Sequence, residues 1–420
     1  MKVVIVGNGT AGNQAAFRLR SKRPDLEISI VSGENCPEYD PCSLPYILSG
    51  QLPWPAVFKR SLEEYAKNSI DLVLGSQVTS IQPEASCIVT EDGREIEYDK
   101  LVLAHGGQLF MPPVDGLDKK GVFSLKQLAD AEKLNAHQGR RAVVIGSGAI
   151  GIEAAEALKI KGFEVSIVEL YDWVMPTMFD RETAALLKSQ LEMHGIRVYI
   201  GEKVQAVLGK SCVESVTTDQ RTIPCDTVVV ATGVAPDVAL PKTAGITVER
   251  GIKVNRKMQT SIADIYACGD CVETIDACTG EDVMFQLKHN AINQAIVAAD
   301  SIVGINTVYP GAYAFARIHF FDTHAACFGK TTQSTMCELG ELEILEKKEP
   351  DGYLRLILKE GLIAGVQAVG SLAADIGLFI SMARRDANVN DLRKAWASAG
   401  CIAHSRPWTD RMIGQVLSAC

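Results

Sequence analysis

Residues 2–16, KVVIVGNGTAGNQAA, recur as residues 141–155, RAVVIGSGAIGIEAA. Each copy is an apolar run, a glycine-rich turn and an alanine-rich stretch, and a second apolar run follows, ISIV from Ile28 and VSIV from Val165. This pattern predicts strand, turn, helix and strand, the βαβ unit that opens a doubly wound parallel sheet. The repeat therefore predicts two nucleotide-binding domains of one type.

Composition restricts the class of protein. The chain has 420 residues, 47% hydrophobic and 22% charged, as in globular proteins of several domains. A net charge of −9 disfavours nucleic acid as a partner. No apolar run has the length of a membrane span, and a strand-like run follows Lys2 at once. We therefore expect no membrane span, no signal peptide and a cytoplasmic protein.

Both turns have the glycine spacing of dinucleotide-binding loops. Such glycines permit a tight turn, close approach of the backbone to a pyrophosphate and close packing of the following helix. The candidate residues are Gly7, Gly9 and Gly12 in the first copy and Gly146, Gly148 and Gly151 in the second.

A carboxylate after the second strand of such a unit binds ribose hydroxyls. Glu169 stands at this position in the second copy, and no arginine or lysine directly follows it to receive a 2′-phosphate, so NAD(H) is favoured over NADP(H). A solvated strand-end carboxylate is the alternative for Glu169. In the first copy Ser32 occupies this position, and Glu34 is the available substitute.

Residues 260–270, TSIADIYACGD, contain the pattern T-x5-Y-A-x-G-D. This pattern resembles the segment that closes the flavin site of the FAD-dependent pyridine nucleotide-disulfide oxidoreductases, in which a flavin and a nicotinamide exchange hydride. The resemblance implies that Gly269 and Asp270 bind FAD. LVLAHGG and VVVATGVAPD resemble the family's strand-to-glycine junctions at Gly106 and Gly233, with His105 where threonine is usual.

The resemblance implies an α/β fold with two Rossmann-like domains of glutathione-reductase type and a C-terminal α+β interface domain. The predicted segments are 1–110 and 237–308 for the FAD domain, 111–236 for the NAD(H) domain and 309–420 for the interface domain.

Cys42 begins the sequence Cys-Ser-Leu-Pro-Tyr, which resembles the single-cysteine motif of coenzyme A-disulfide reductases and NADH oxidases. In those enzymes the cysteine lies beside the flavin and cycles as a mixed disulfide or sulfenic acid. Pro45 suits the first turn of a helix, and a helix N-terminus stabilises a thiolate. Cys42 is therefore the candidate catalytic residue, with Tyr39 and Pro45 beside the cofactor. A buried, inert thiol is the alternative.

Other cysteines leave further alternatives. Cys36 and Cys42 could form a redox-active disulfide, although Pro37 and Pro41 disfavour the geometry. Cys268 and Cys271 could ligate a metal, but they lie inside the flavin motif, so no metal site is predicted.

The C-terminal third resembles the dimerisation domain of coenzyme A-disulfide reductases in RIHFFDTHAACFGKT from Arg317 and DRMIGQV at 410–416. Those enzymes place tyrosines in this tail, whereas Gln415 and the stretch 400–404 supply none, which disfavours coenzyme A disulfide as the substrate. His404 could act as an acid or base, or could be structural.

These resemblances imply hydride exchange between NADH and FAD, followed by electron transfer through Cys42 to a disulfide, persulfide or similar acceptor. VSGEN followed by Tyr39 also resembles reductases that serve ferredoxin, rubredoxin or nitrite reductase. The alternative is therefore an NAD(H)-linked flavoprotein that exchanges electrons with an iron–sulfur protein, including a 2-oxoacid:acceptor oxidoreductase complex. An NADH-sensing interaction module is a third. We expect a homodimer or a subunit of such a complex.

Overall fold

The computed structural model describes residues 1–336 and 342–391. The chain forms two compact units. Unit 1 contains residues 1–112, 126–135 and 233–313, and unit 2 contains residues 113–125, 136–232 and the described residues from 314 onward.

The helices are α1 (Thr10–Lys22), α2 (Leu44–Ser49), α3 (Leu62–Lys67), α4 (Leu128–Ala136), α5 (Ala149–Ile160), α6 (Arg181–Met193), α7 (Ala239–Thr243), α8 (Lys288–Ile302), α9 (Thr332–Met336) and α10 (Ile376–Ala383). The strands are β1 (Lys2–Val6), β2 (Glu27–Val31), β3 (Ile70–Val73), β4 (Val78–Gln82), β5 (Cys87–Thr90), β6 (Glu95–Glu97), β7 (Lys100–Leu103), β8 (Gly107–Leu109), β9 (Val122–Phe123), β10 (Arg141–Ile145), β11 (Glu164–Glu169), β12 (Arg197–Ile200), β13 (Val204–Leu208), β14 (Ser215–Thr218), β15 (Thr222–Pro224), β16 (Thr227–Val230), β17 (Val234–Pro236), β18 (Ile252–Lys253), β19 (Ile265–Ala267), β20 (Val272–Ile275), β21 (Asp282–Val283), β22 (Phe315–Phe320), β23 (Thr323–Gly329), β24 (Leu342–Glu349), β25 (Gly352–Lys359) and β26 (Leu362–Gly370).

Unit 1 is built on a parallel sheet of strand order β19-β7-β1-β2-β3. Side chains on both faces of β1 are buried, because α1 and α8 pack on Val3 and Ile5 while the β4-β5-β6 sheet packs on Val4 and Val6. Burial on both faces explains why the strand is a continuous apolar run.

Unit 2 repeats this design with a parallel sheet of order β12-β11-β10-β16-β9. An antiparallel sheet of order β22-β23-β26-β25-β24 follows. Buried polar contacts link this sheet to the start of α6, since Arg355 Nε lies 3.2 Å from Asp180 Oδ2 and Gln367 Oε1 accepts a hydrogen bond from Asp180 N.

The predicted α/β fold with two sheets of the same type is confirmed. The residue boundaries of the four predicted segments stay a prediction. Residues 126–135, inside the predicted NAD(H) segment, belong to unit 1. Among the helices of the described ranges, none is both long and apolar enough to cross a membrane.

Candidate functional site

The first glycine-rich loop, in unit 1, is shaped by close backbone contacts. Gly7 has φ +112°, and a Cβ there would lie 2.9 Å from His105 Cα. A Cβ on Gly12 would come closer than 3.0 Å to the carbonyl oxygen of Gly7. A Cβ on Gly9 would meet nothing within 4 Å. The first and third glycines are thus required by packing, whereas the second faces open space.

The second loop, in unit 2, has the same geometry. Gly146 has φ +101°, a Cβ on Gly151 would clash with the carbonyl oxygen of Gly146, and a Cβ on Gly148 would meet nothing within 4 Å. Both helices, α1 and α5, begin without a side-chain cap and without an acidic residue in the first turn. Uncapped N–H groups beside open space form a cradle that fits the pyrophosphate of a dinucleotide.

Glu169 is joined to the second loop. Its side chain is buried, and Ser147 donates to Oε2 from both its backbone N–H (2.9 Å) and its hydroxyl (2.5 Å). Tyr171 N–H donates to Oε1 at 2.9 Å. The carboxylate therefore lies at the edge of the loop, where the sequence placed it, and the ribose contact stays a prediction. Ser147 was not predicted, although a hydroxyl beside Gly146 was visible in the sequence.

Asp270 lies at the first loop. A Cβ on its neighbour Gly269 would lie 3.0 Å from Ala11 Cβ, at the start of α1. Burial raises the pKa of Asp270, and Lys126 is the charged residue that opposes this effect. Among the described residues nothing forms a hydrogen bond with the Asp270 carboxylate, which fits an acid that accepts from hydroxyl groups of a bound flavin nucleotide. Lys126 was missed because it lies in the segment assigned to the other domain.

Glu34 and Tyr39 are hydrogen-bonded to each other. Tyr39 OH donates to Glu34 Oε2 at 2.8 Å and accepts from Leu128 N at 3.3 Å. Burial, followed by the Glu34 carboxylate, raises the pKa of Tyr39 well above its usual value, so the phenol stays protonated. The two predicted residues, Glu34 and Tyr39, are therefore in direct contact.

A polar network links the first loop to the segment that precedes Cys42. Asn8 Nδ2 donates to the carbonyl oxygen of Cys36 at 2.9 Å, and Asn13 Nδ2 donates to the carbonyl oxygen of Asn8 at 2.8 Å. Tyr65 OH donates to Asn13 Oδ1 at 2.7 Å and accepts from Glu38 N at 3.2 Å. These residues were missed by sequence reasoning, because no local spacing marks them.

Cys42 is exposed, and it lies in a 3-10 turn formed by Pro41–Ser43. α2 begins at Leu44 with Pro45 in its first turn, so Cys42 lies just before this helix. Asp40 Oδ1 accepts a hydrogen bond from Cys42 N at 3.2 Å. The thiol is thus on a capped turn at the surface of unit 1, not inside its core.

The other cysteines discussed above are thiols in the structure. Burial, with Glu34 and Glu132, raises the pKa of Cys36 to about 11, so this thiol is protonated at neutral pH. Burial raises the pKa of Cys271 to about 12, and its Sγ lies 3.4 Å from the carbonyl oxygen of Cys268. Neither site stabilises a thiolate, the form that attacks a disulfide or ligates a metal.

The two strand-to-glycine junctions flank one short ribbon in unit 1. β8 pairs antiparallel with β17, and Gly106 (φ +75°) and Gly233 (φ +96°) directly precede these strands, at opposite ends of the ribbon. His105 Nε2 lies 2.8 Å from the carbonyl oxygen of Asp237, and burial lowers the pKa of His105. The imidazole is therefore neutral at pH 7. His404, Gln415 and the stretches 400–404 and 410–416 lie outside the described residues.

Comparison with known proteins identifies relatives over most of the chain. The family model of the pyridine nucleotide-disulphide oxidoreductases matches residues 1–299. The chain is 33% identical to an NADH oxidase of Methanocaldococcus jannaschii over 88% of both chains. It is 32% identical to an NAD(P)H sulfur oxidoreductase (CoA-dependent) of Pyrococcus furiosus, again over 88% of both chains.

Two further comparisons extend this range. A rubredoxin-NAD(+) reductase of Pseudomonas putida is 31% identical over 74% of this chain and 82% of its own. The solved structure of an NAD-dependent persulfide reductase from A. fulgidus has a TM-score of 0.92 at 29% identity, over 100% of this chain and 82% of that one. The predicted enzyme class, an FAD-dependent NAD(P)H oxidoreductase, and the predicted cofactors, FAD and NAD(H), are confirmed. The chain belongs to the pyridine nucleotide-disulphide oxidoreductase family.

Proposed function

We propose that Cys42 carries electrons from the bound flavin to a disulfide, persulfide or similar sulfur acceptor. The observation that carries this proposal is an exposed thiol on a capped turn, at the end of a segment that Asn8 ties to the flavin-type loop. The named activities of the sulfur oxidoreductase of P. furiosus and the persulfide reductase of A. fulgidus support it.

Different residues would hold the two cofactors. The loop of Gly7, Gly9 and Gly12, with Asp270 and Lys126, would bind FAD, and the loop around Gly148 with Glu169 would bind NAD(H). FAD, when bound, would accept a hydride from NADH and pass an electron pair on to the acceptor. The chain orients both nucleotides through helix ends and carboxylates, and we infer that Glu169 makes NADH the preferred coenzyme.

A persulfide, R–S–SH, illustrates the role of Cys42. The Cys42 thiolate attacks the terminal sulfur, the S–S bond breaks, and the thiol RSH leaves after taking up a proton. Cys42 then carries the transferred sulfur as –S–SH. An electron pair that originates from NADH breaks this new bond, hydrogen sulfide leaves, and the thiolate is restored. The net reaction converts R–S–SH, NADH and one proton into RSH, hydrogen sulfide and NAD⁺.

The test compares Cys42→Ser with Cys36→Ser. We expect Cys42→Ser to abolish NADH-dependent reduction of a low-molecular-weight persulfide and of an aromatic disulfide, while reduction of an artificial dye stays near the parent rate. Cys36→Ser should keep both activities, because its protonated thiol takes no part. Full persulfide reduction by Cys42→Ser would show that the cysteine mechanism is wrong.

A second candidate acceptor is an iron–sulfur protein. The observation that favours it is the hydrogen bond between Glu34 and Tyr39, the two residues of the pattern shared with ferredoxin- and rubredoxin-linked reductases. The rubredoxin-NAD(+) reductase of P. putida supports it. If Cys42→Ser reduces a ferredoxin or rubredoxin at the parent rate but no sulfur acceptor is turned over by the parent, this candidate replaces the first.

The oligomeric state and the cellular location are predicted from the sequence alone. The expected homodimer or larger oxidoreductase complex stays a prediction, which sedimentation of the protein purified at native abundance would test. The cytoplasmic location likewise stays a prediction.

A further inference from the structure

The carboxylate of Asp40 is the centre of an ion-pair cluster, two residues before Cys42. Its side chain is only 10% exposed. Oδ1 accepts the hydrogen bond from Cys42 N, and Oδ2 lies 2.6 Å from Lys288 Nζ and 3.4 Å from Lys59 Nζ. Lys288 is the first residue of α8, so the cluster joins the turn of Cys42 to a helix distant in sequence.

The Asp40 turn is held from several directions. Asp40 N–H donates to the carbonyl oxygen of Val57 at 2.9 Å, and Ser43 N–H donates to the carbonyl oxygen of Asp40 at 2.9 Å. Asp40 therefore binds the backbone N–H of Cys42 through its carboxylate and the backbone N–H of Ser43 through its carbonyl oxygen. Because Lys288 holds the Asp40 carboxylate, loss of the lysine would loosen the hydrogen bond to Cys42 N.

The charges of the cluster also bear on the thiol. Burial acts to raise the pKa of Asp40, but the hydrogen bond and charge of Lys288, followed by the charge of Lys59, bring it below its usual value. Asp40 is thus an anion at neutral pH. Its carboxylate accepts from the Cys42 backbone, and an unbalanced anion there would oppose ionisation of the Cys42 thiol. The Glu38 and Glu64 carboxylates both pair with Arg60, at 2.8 and 2.5 Å. The charge of Lys288 also acts on Glu38, but the ion pair of Lys288 is with Asp40.

We propose that Lys288 is a positioning residue: through Asp40 it orients the turn of Cys42 and supplies the positive charge that favours the Cys42 thiolate. The inference rests on the proposed function of Cys42. Lys59 is the weaker of the two cations, because it is farther from Asp40 and its side chain is more exposed, 48% against 39%. The lysine side chains are too exposed for this pair to add much to global stability, so its effect falls on the turn.

The experiment measures the rate of Cys42 alkylation by iodoacetamide as a function of pH in the flavin-loaded enzyme, with peptide mass spectrometry to resolve each cysteine. Cys212, which is exposed and lies in unit 2, is the reference within each sample. We expect Lys288→Met to move the pH midpoint of Cys42 alkylation upward by about one unit, the low end of the effect of a nearby charge. At pH values below the parent midpoint, alkylation should then be about tenfold slower.

Two further variants separate charge from folding. Lys288→Arg keeps the positive charge, so the pH midpoint of Cys42 alkylation should stay at the parent value. Asp40→Asn keeps an acceptor for Cys42 N but removes the negative charge, so it should move the midpoint downward. An unchanged midpoint in Lys288→Met, or an upward shift in Asp40→Asn, would overturn the inference. Alkylation requires no turnover, so this result is independent of whether Cys42→Ser abolishes sulfur reduction.

Discussion

Alanine at Gly9 and at Gly12 should separate flavin binding from folding. Gly9 has φ −79° and ψ −172°, which alanine adopts without strain, and its Cβ would enter open space. A Cβ on Gly12 would lie less than 3.0 Å from the Gly7 oxygen, whereas carbon–oxygen contacts begin at roughly 3.3 Å. α1 would have to move, at a cost of about 1–3 kcal/mol for overpacking. Gly9→Ala should cost less than about 1 kcal/mol.

The assay follows urea unfolding and FAD affinity for both variants. Without FAD, Gly9→Ala should unfold at nearly the parent midpoint. It should nevertheless bind FAD at least about a hundredfold more weakly, which corresponds to about 2.7 kcal/mol, because the methyl group occupies the space meant for the pyrophosphate. Gly12→Ala should lose both stability and flavin. Parent-like FAD affinity in Gly9→Ala would refute the assignment of this open space to the cofactor. Gly148→Ala should keep FAD and lose NADH affinity by the same reasoning.

The double variant Glu169→Ala with Leu170→Arg should raise the ratio of NADPH to NADH kcat/KM by at least about tenfold, because it exchanges the predicted ribose acid for a cation; an unchanged ratio would count against Glu169. Arg18→Met should lower the free energy of unfolding by about 2 kcal/mol, because it leaves the buried Asp300 carboxylate without its bidentate partner. The Arg18 hydrogen bonds lower the pKa of Asp300, so this stabilisation is present at neutral pH and disappears as the pH falls below about 4. Denaturation of parent and variant at pH 7 and at low pH measures the difference, and a loss that is independent of pH would contradict the ion pair as its source.

Local constraints made the nucleotide loops predictable. A tight turn and a close helix contact leave room only for glycine at Gly7 and Gly12, so the sequence itself records the geometry. The parallel strands were also predictable from the sequence, because burial on both faces requires uninterrupted apolar runs. The family resemblance added the prediction that Asp270 binds FAD, which spacing and burial patterns alone do not give.

The remaining site residues come together only in three dimensions. Lys288 and Asp40 are far apart in sequence, and neither has a spacing that marks it. Leu128, the first residue of α4, donates its backbone N–H to Tyr39. This helix belongs to unit 1, although it lies inside the segment that the sequence predicts as the NAD(H) domain. Such pairs depend on tertiary packing, for which a single sequence carries no periodic signal.

The position of β19 determines when the parallel sheet of unit 1 can be completed during synthesis. β7 pairs with β1 on one side and with β19 on the other, although residues 104–264 separate β7 from β19 in the chain. A ribosome adds roughly 5–20 residues per second, so the free edge of β7 waits on the order of ten seconds or more for its partner. During that interval the nascent chain presents an apolar strand edge, a template for pairing with a neighbouring nascent chain. Completion of the parallel sheet of unit 1 is therefore a late event in synthesis.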